Sequence, residues 1–244
     1  MSFPYRGVLF DWAWTLVDLG PEDDRAAFHA LAGFLAGRGF VFENEDAAYE
    51  ALWTLFREQI RVSRACGLEA HFESVLNYLA QERNWDWTEE FRREALTVYY
   101  REQYRQRTVY PEVKPTLEKL QQAGVQMGVV SNTTNPGFMK RYEARHLGLD
   151  SYFQCAVYSS EVPFRKPHPS IFRLACRRLG LSPRQVLFVG DHYEADIRGA
   201  GAVGLATAWL NRRGLSCPGE PGPDFEITRL DELLSLRPTP VAEE

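Results

Sequence analysis

Four polar clusters in this 244-residue sequence each follow a short apolar run. Asp11 follows Val8-Leu9-Phe10, and Ser131 with Asn132 follows the run ending at Val130. Lys166 lies just beyond the segment 155–161, and Asp191, with Asp196 close behind it, follows 186–190. These residue types suit chemistry on an anion. A carboxylate can attack as a nucleophile or hold a hard cation through oxygen, a hydroxyl can bond anionic oxygens, and an ammonium neutralises charge. Singly, each has a plainer explanation: Asp11, Ser131 and Asn132 as turn or helix caps, Lys166 as a solvated lysine, Asp191 as a cap and Asp196 as a surface acid. Order sets them apart, because each cluster stands behind its own predicted strand.

Those strands are the runs at 6–12, 125–132, 155–161, 185–191 and 204–210, all of strand rather than helix length. The stretches 8–10, 127–130 and 186–189 are continuously apolar instead of alternating, which predicts strands covered on both faces. Helical segments at about 114–123, 136–147, 169–179 and 194–202 lie between them, so the fold class is α/β with a doubly wound parallel sheet. In such a sheet, ligands bind at the C-terminal edge of the strands, where all four clusters fall.

Between Thr15 and about Arg107 there is no convincing strand. Amphipathic helical patterns run through 22–38, 45–65, 70–84 and 88–106, with apolar spacings such as Phe28, Leu31, Leu35. This interval reads as a helical insert after the first strand. Gly33, Gly37 and Gly39 weaken or close its first helix, and Gly67 separates the second from the third. The segment 216–224 is a Pro/Gly-rich loop and 237–244 a frayed tail.

A formal net charge of −5 gives no basic footprint for phosphate neutralisation, which argues against a nucleic-acid partner. No apolar stretch approaches a membrane span, and Met1–Trp12 lacks the features of a signal peptide, so a membrane partner is not expected and a cytoplasmic location is. Cys66, Cys155, Cys176 and Cys217 show no metal-ligand spacing and read as ordinary thiols.

The ordered set resembles the haloacid dehalogenase-like hydrolase superfamily through FDWAWT at 10–15, VVSNT at 129–133, RKPHPSIF at 165–172 and VGDHYEAD at 189–196. The insert is similar to the cap of the subclass with an α-helical cap. The resemblance implies a Rossmann-like core over 1–16 and 109–244 with the cap at 17–108. It makes Asp11 the nucleophile that forms an aspartyl-phosphate and Lys166 the charge neutraliser. Ser131 and the Asn132 backbone N–H would hold the phosphoryl oxygens. Mg2+ would be bound by Asp11, Asp191 and the Ala13 backbone carbonyl, supported by Asp196. The implied activity is hydrolysis of a small phosphorylated metabolite; the substrate's identity and the oligomeric state are left open.

Two positions depart from that pattern. Where most phosphatases of the family carry a second aspartate, which protonates the leaving group and activates water, this chain has Ala13. Such a group is worth roughly 10²–10⁴ in rate, so turnover is expected to be slow or restricted to leaving groups that need no proton. The usual glycine is replaced by Trp14, and both Trp12 and Trp14 are expected to pack at the core–cap junction. Phosphonoacetaldehyde hydrolases share the Asp-Trp-Ala opening but need a cap lysine, and no lysine occurs between Thr15 and Thr108. The 2-haloacid dehalogenases also run on a lone aspartate but need no metal, and a non-catalytic binding protein remains a further alternative. Arg57, Arg61 and Arg64 stand as candidates for binding a substrate carboxylate or phosphate. His192 and Tyr193 stand beside the metal motif, within possible reach of substrate or product.

Overall fold

The computed structural model describes residues 3–237. Six parallel strands form the central sheet in the order β5-β4-β1-β6-β7-β8: β1 (Gly7–Phe10), β4 (Gln126–Ser131), β5 (Cys155–Tyr158), β6 (Val186–Gly190), β7 (Ala206–Leu210) and β8 (Phe225–Ile227). The α/β class and the five expected strands are present. Alternation of side chains across each strand fills both faces. Val8, Phe10, Met127, Val129, Leu187 and Val189 pack on one side, against Leu117 and Leu120 of α5 (Val113–Gln122). Leu9, Val130, Val157 and Phe188 pack on the other, against Ile171, Phe172 and Ala175 of α7 (Pro169–Leu179). Double coverage explains the unbroken apolar character of these runs.

The expected helical insert is four helices: α1 (Asp24–Ala36), α2 (Glu45–Ala65), α3 (Phe72–Glu82) and α4 (Glu89–Gln103). Three start at capping side chains, with Asp23, Asn44 and Thr88 each accepting a backbone N–H in the first turn. Their apolar stripes meet in a cluster of their own, rich in aromatics, with the Phe72 and Tyr99 rings stacked 4.4 Å apart. That cluster also takes in Met139 of α6 (Gly137–His146), which lies beside the sheet.

Three strands escaped the sequence reading. The interval read as strand-free begins with β2 (Val17–Asp18), which pairs antiparallel with β3 (Thr108–Val109) where the chain leaves and re-enters the sheet domain. Two residues are too few for any periodicity to register. The third, β8, is a short edge strand with the polar Glu226 at its centre, directly after the Pro/Gly loop. The expected helix at 194–202 is instead a π-helical turn, Tyr193–Arg198, running into Gly199–Gly201. Of the tail segment, 238–244 lies outside the described residues.

Candidate active site

β1 sits between β4 and β6, so the two crossovers diverge at its C-terminal end, the place where an open α/β sheet leaves a crevice. Phe10 is in register with Val129 and Val189, which brings the ends of the three strands level. Asp11 is fixed there by its own N–H, which donates to the Val189 carbonyl at 2.9 Å. Ser131 closes β4, and Asp191 follows β6.

The chain segment with Lys166 is drawn in by Asn132. The Asn132 amide donates to the Lys166 carbonyl at 3.0 Å and accepts from the Lys166 N–H at 2.8 Å. The buried Lys166 ammonium then donates to Asp11 Oδ1 and to Asp196 Oδ1, both at 2.6 Å. Burial alone would lower the Lys166 pKa, but the two carboxylates hold it above the ordinary lysine value.

The three acids Asp11, Asp191 and Asp196 offer carboxylate oxygens within 4.8 Å of one another. Burial first, then the charges of Asp11 and Asp196, push Asp191 up to about 7. Burial also raises Asp196, to about 6, against the pull of Lys166. Asp196 reaches the cluster because residue 190 is glycine, for a Cβ there would stand 2.4 Å from Asp196 Oδ2. That oxygen accepts from the His192 N–H at 3.0 Å while Oδ1 takes Lys166, so Asp196 is spoken for by protein donors. A carboxylate cluster crowded enough to raise its own pKa values, made of hard oxygen donors, suits a divalent cation held by Asp11 and Asp191. Ala13 lines the same cavity.

Asp11, Ala13, Asn132, Lys166, Asp191 and Asp196 line one cavity of about 370 Å3, with Arg64, Arg165, His192 and Trp14 around them. A neighbouring cavity of about 170 Å3 shares Ala13, Asn132, Arg64 and Arg165 and adds Ser131 and Lys140. The structure therefore brings together every residue singled out at the four strand ends. Ser131 Oγ has no hydrogen-bond partner among the described residues.

Several expectations change. Trp12 packs as expected, buried with its indole N–H donating to Glu143 at 3.1 Å. Trp14 does not: it is 45% exposed, at the border of the main cavity. It stands at φ +60°, the left-handed conformation that glycine adopts without penalty, because the turn closes by Trp14 N–H donating to the Val17 carbonyl. Of the three candidate arginines only Arg64 reaches the site. Arg61 pairs with Glu58 on the surface, and Arg57 lies over the Trp53 ring. His192 lines the main cavity, but Tyr193 is buried against Trp209 and donates to the Pro221 carbonyl.

Sequence reasoning missed a buried ionic cluster beside the site. Glu143 accepts from Arg107 at 2.6 Å, from Lys140 and from Trp12, and Arg107 also pairs with Glu22. It also missed Glu69, which accepts from Ser159 at 2.6 Å, and Arg165 beside it, whose N–H donates to the Gly67 carbonyl. The one signal for the first cluster is composition: Lys140 is one of only four lysines among twenty-eight basic residues.

A family model described as haloacid dehalogenase-like hydrolase matches residues 5–204. The chain belongs to the haloacid dehalogenase-like hydrolases. Among its relatives in this family, it is 34% identical over 237 residues to the glyceraldehyde 3-phosphate phosphatase of Methanopyrus kandleri, covering 95% of this chain and 96% of that protein. It is 32% identical over 200 residues to the phosphoglycolate phosphatase of Yersinia pestis, covering 82% and 78%. The crystal structure of a 2-haloacid dehalogenase from Pseudomonas syringae pv. tomato superposes with a TM-score of 0.71 at 26% identity, over 95% of this chain and 97% of that one. Both kinds of hydrolase in the family are thus close in sequence or shape.

Proposed function

We propose that this hydrolase is a magnesium-dependent phosphatase of small phosphorylated metabolites, working through an aspartyl-phosphate on Asp11. The observation that carries the reading is the Lys166 ammonium bonded to Asp11 and Asp196 at 2.6 Å each, beside a third carboxylate, Asp191. Three acids against one cation leave room for a divalent metal, which displacement of a halide does not need. Phosphatase names among the relatives point the same way.

Asp11 attacks phosphorus from the sheet edge, with its Oδ1 accepting a hydrogen bond from Lys166. Lys166 neutralises charge as the phosphoryl group transfers, the task of a compact point charge. Ser131 Oγ and the Asn132 N–H supply donors to phosphoryl oxygens, while the Asn132 side chain is occupied in holding Lys166. Magnesium, when bound by Asp11, Asp191 and the Ala13 carbonyl, would allow two anions to approach each other. Asp196 acts by orienting Lys166 and the His192 backbone.

The core at 1–16 and 109–244 with a cap at 17–108 is the domain division we favour, supported by the separate apolar clusters of sheet and insert. Four free thiols fit a reducing, cytoplasmic setting. A dehalogenase reading draws on Ala13, since halide leaves without a proton. Purified protein is expected to hydrolyse p-nitrophenyl phosphate with magnesium and to lose that activity in Asp11→Asn. Activity that survives Asp11→Asn, or release of halide from a 2-haloacid with no phosphatase activity, would overturn the reading.

A further inference from the structure

The missing acid at Ala13 leaves a chemical vacancy: an alkoxide leaving group must find a proton, and the water that attacks an aspartyl-phosphate must lose one. Among the residues around the 170 Å3 cavity, Lys140 has the means to do both. It shares that cavity with Ala13, Ser131 and Asn132. Its side chain is only 4% exposed, and its Nζ lies 4.9 Å from the centre of the Trp12 ring. An ammonium carries three N–H donors, yet Lys140 has one acceptor among the described residues, Glu143. Two donors are left over, on a residue that lines the same cavity as Ala13, where the family's acid is lost.

We propose that Lys140 is the proton-transfer group of this site, taking the place of the acid absent at residue 13. The inference rests on the phosphatase reading above. In the first step an Asp11 oxygen bonds to phosphorus and the bond from phosphorus to the leaving oxygen breaks. Its electron pair stays on that oxygen, which takes a proton from Lys140 Nζ and departs as the alcohol. In the second step water bonds to phosphorus, the Asp11–phosphorus bond breaks with its electron pair returning to the carboxylate, and the Lys140 amine takes the proton of the water. Lys140 is an ammonium again, and inorganic phosphate is free.

The surroundings fit a lysine that gives up a proton and regains it. Burial lowers its pKa from the ordinary lysine value, Glu143 on its own helix opposes that, Arg107 before β3 adds to the lowering, and Asp11 after β1 opposes it. Glu22 stands behind Arg107. Glu143 keeps its bonds from Arg107 and Trp12 whichever form Lys140 takes, so loss of the proton leaves no buried carboxylate unpartnered.

The test compares wild type, Lys140→Met and Lys140→Arg on two substrates in the same preparations: p-nitrophenyl phosphate, whose leaving group departs without a proton, and glycerol phosphate, whose leaving group does not. Arginine keeps the charge and the pairing with Glu143 but cannot release a proton at working pH. Both variants are expected to lose about 10²-fold or more in kcat/KM on glycerol phosphate. On p-nitrophenyl phosphate kcat/KM, which reads only the first step, is expected to stay within a few-fold, while kcat falls on both substrates because the second step is shared. Equal losses in kcat/KM on both substrates, rescue of glycerol phosphate hydrolysis by arginine, or a wild type that hydrolyses only the nitrophenyl ester would overturn the proposal and leave the phosphatase reading standing. A wild type inactive on both would overturn the two together.

Discussion

Ala13 and Trp14 are the two residues at which the stretch after β1 departs from the pattern that its resemblance to the family implies, and they affect different things. At Ala13 the loss is of a side chain only, since alanine keeps the backbone carbonyl that we propose as a metal ligand. In the Lys140→Met background, Ala13→Asp is therefore expected to restore turnover of alkyl phosphates by about 10²-fold, measured as kcat/KM, with little change in magnesium affinity. At Trp14 the cost is conformational. A non-glycine residue at φ +60° carries about 1–2 kcal/mol of strain, and the half-exposed indole recovers only part of it by packing. Trp14→Gly is expected to raise the thermal midpoint by roughly 2–4 °C per kcal/mol relieved, and a fall would mean that the indole's packing outweighs the strain. Asp11, Ser131, Lys166 and Asp191 were legible in sequence because each follows an apolar run. Lys140 was not, because a lysine three residues before Glu143 on a helix reads as an ordinary surface pair.

At the scale of elements, the long helices and doubly covered strands announced themselves through periodicity. α2 and α7 run over the residues their patterns predicted, and β2, β3 and β8 were too short to carry one. The buried cluster of Glu143, Arg107, Lys140 and Glu22 joins α6 to the segments on either side of the helical insert, between elements that no local pattern connects. Removing its central carboxylate leaves two buried cations without their shared partner. Glu143→Gln is expected to destabilise the protein by about 3 kcal/mol in denaturant unfolding, the low end of the range for a broken buried pair because Lys140 can shed its proton. A change below about 0.5 kcal/mol would show that the cluster contributes no more than a surface pair.

For the molecule as a whole, the acids at the sheet edge link pH to stability and to metal. Asp191 and Asp196 are raised to about 7 and about 6, so between the ordinary aspartate range and those values the native protein holds more protons than the unfolded chain. Without a cation, their contribution to stability falls as pH rises across that interval. A cation held by Asp11 and Asp191, as proposed above, would have to displace the proton of Asp191, so its stabilising effect would grow in the same direction. The increase in thermal midpoint on adding magnesium is expected to be larger at about pH 8 than at about pH 5.5; an equal shift at both would place the metal elsewhere.

The catalytic expectations depend on Asp11 becoming covalently phosphorylated. The most direct measurement is rapid-quench mass spectrometry of the protein mixed with magnesium and acetyl phosphate, followed by peptide mapping. One phosphoryl group is expected, on the peptide containing Asp11, formed and lost at rates that match turnover. Steady hydrolysis with no phosphorylated peptide, or with the group on another residue, would contradict it.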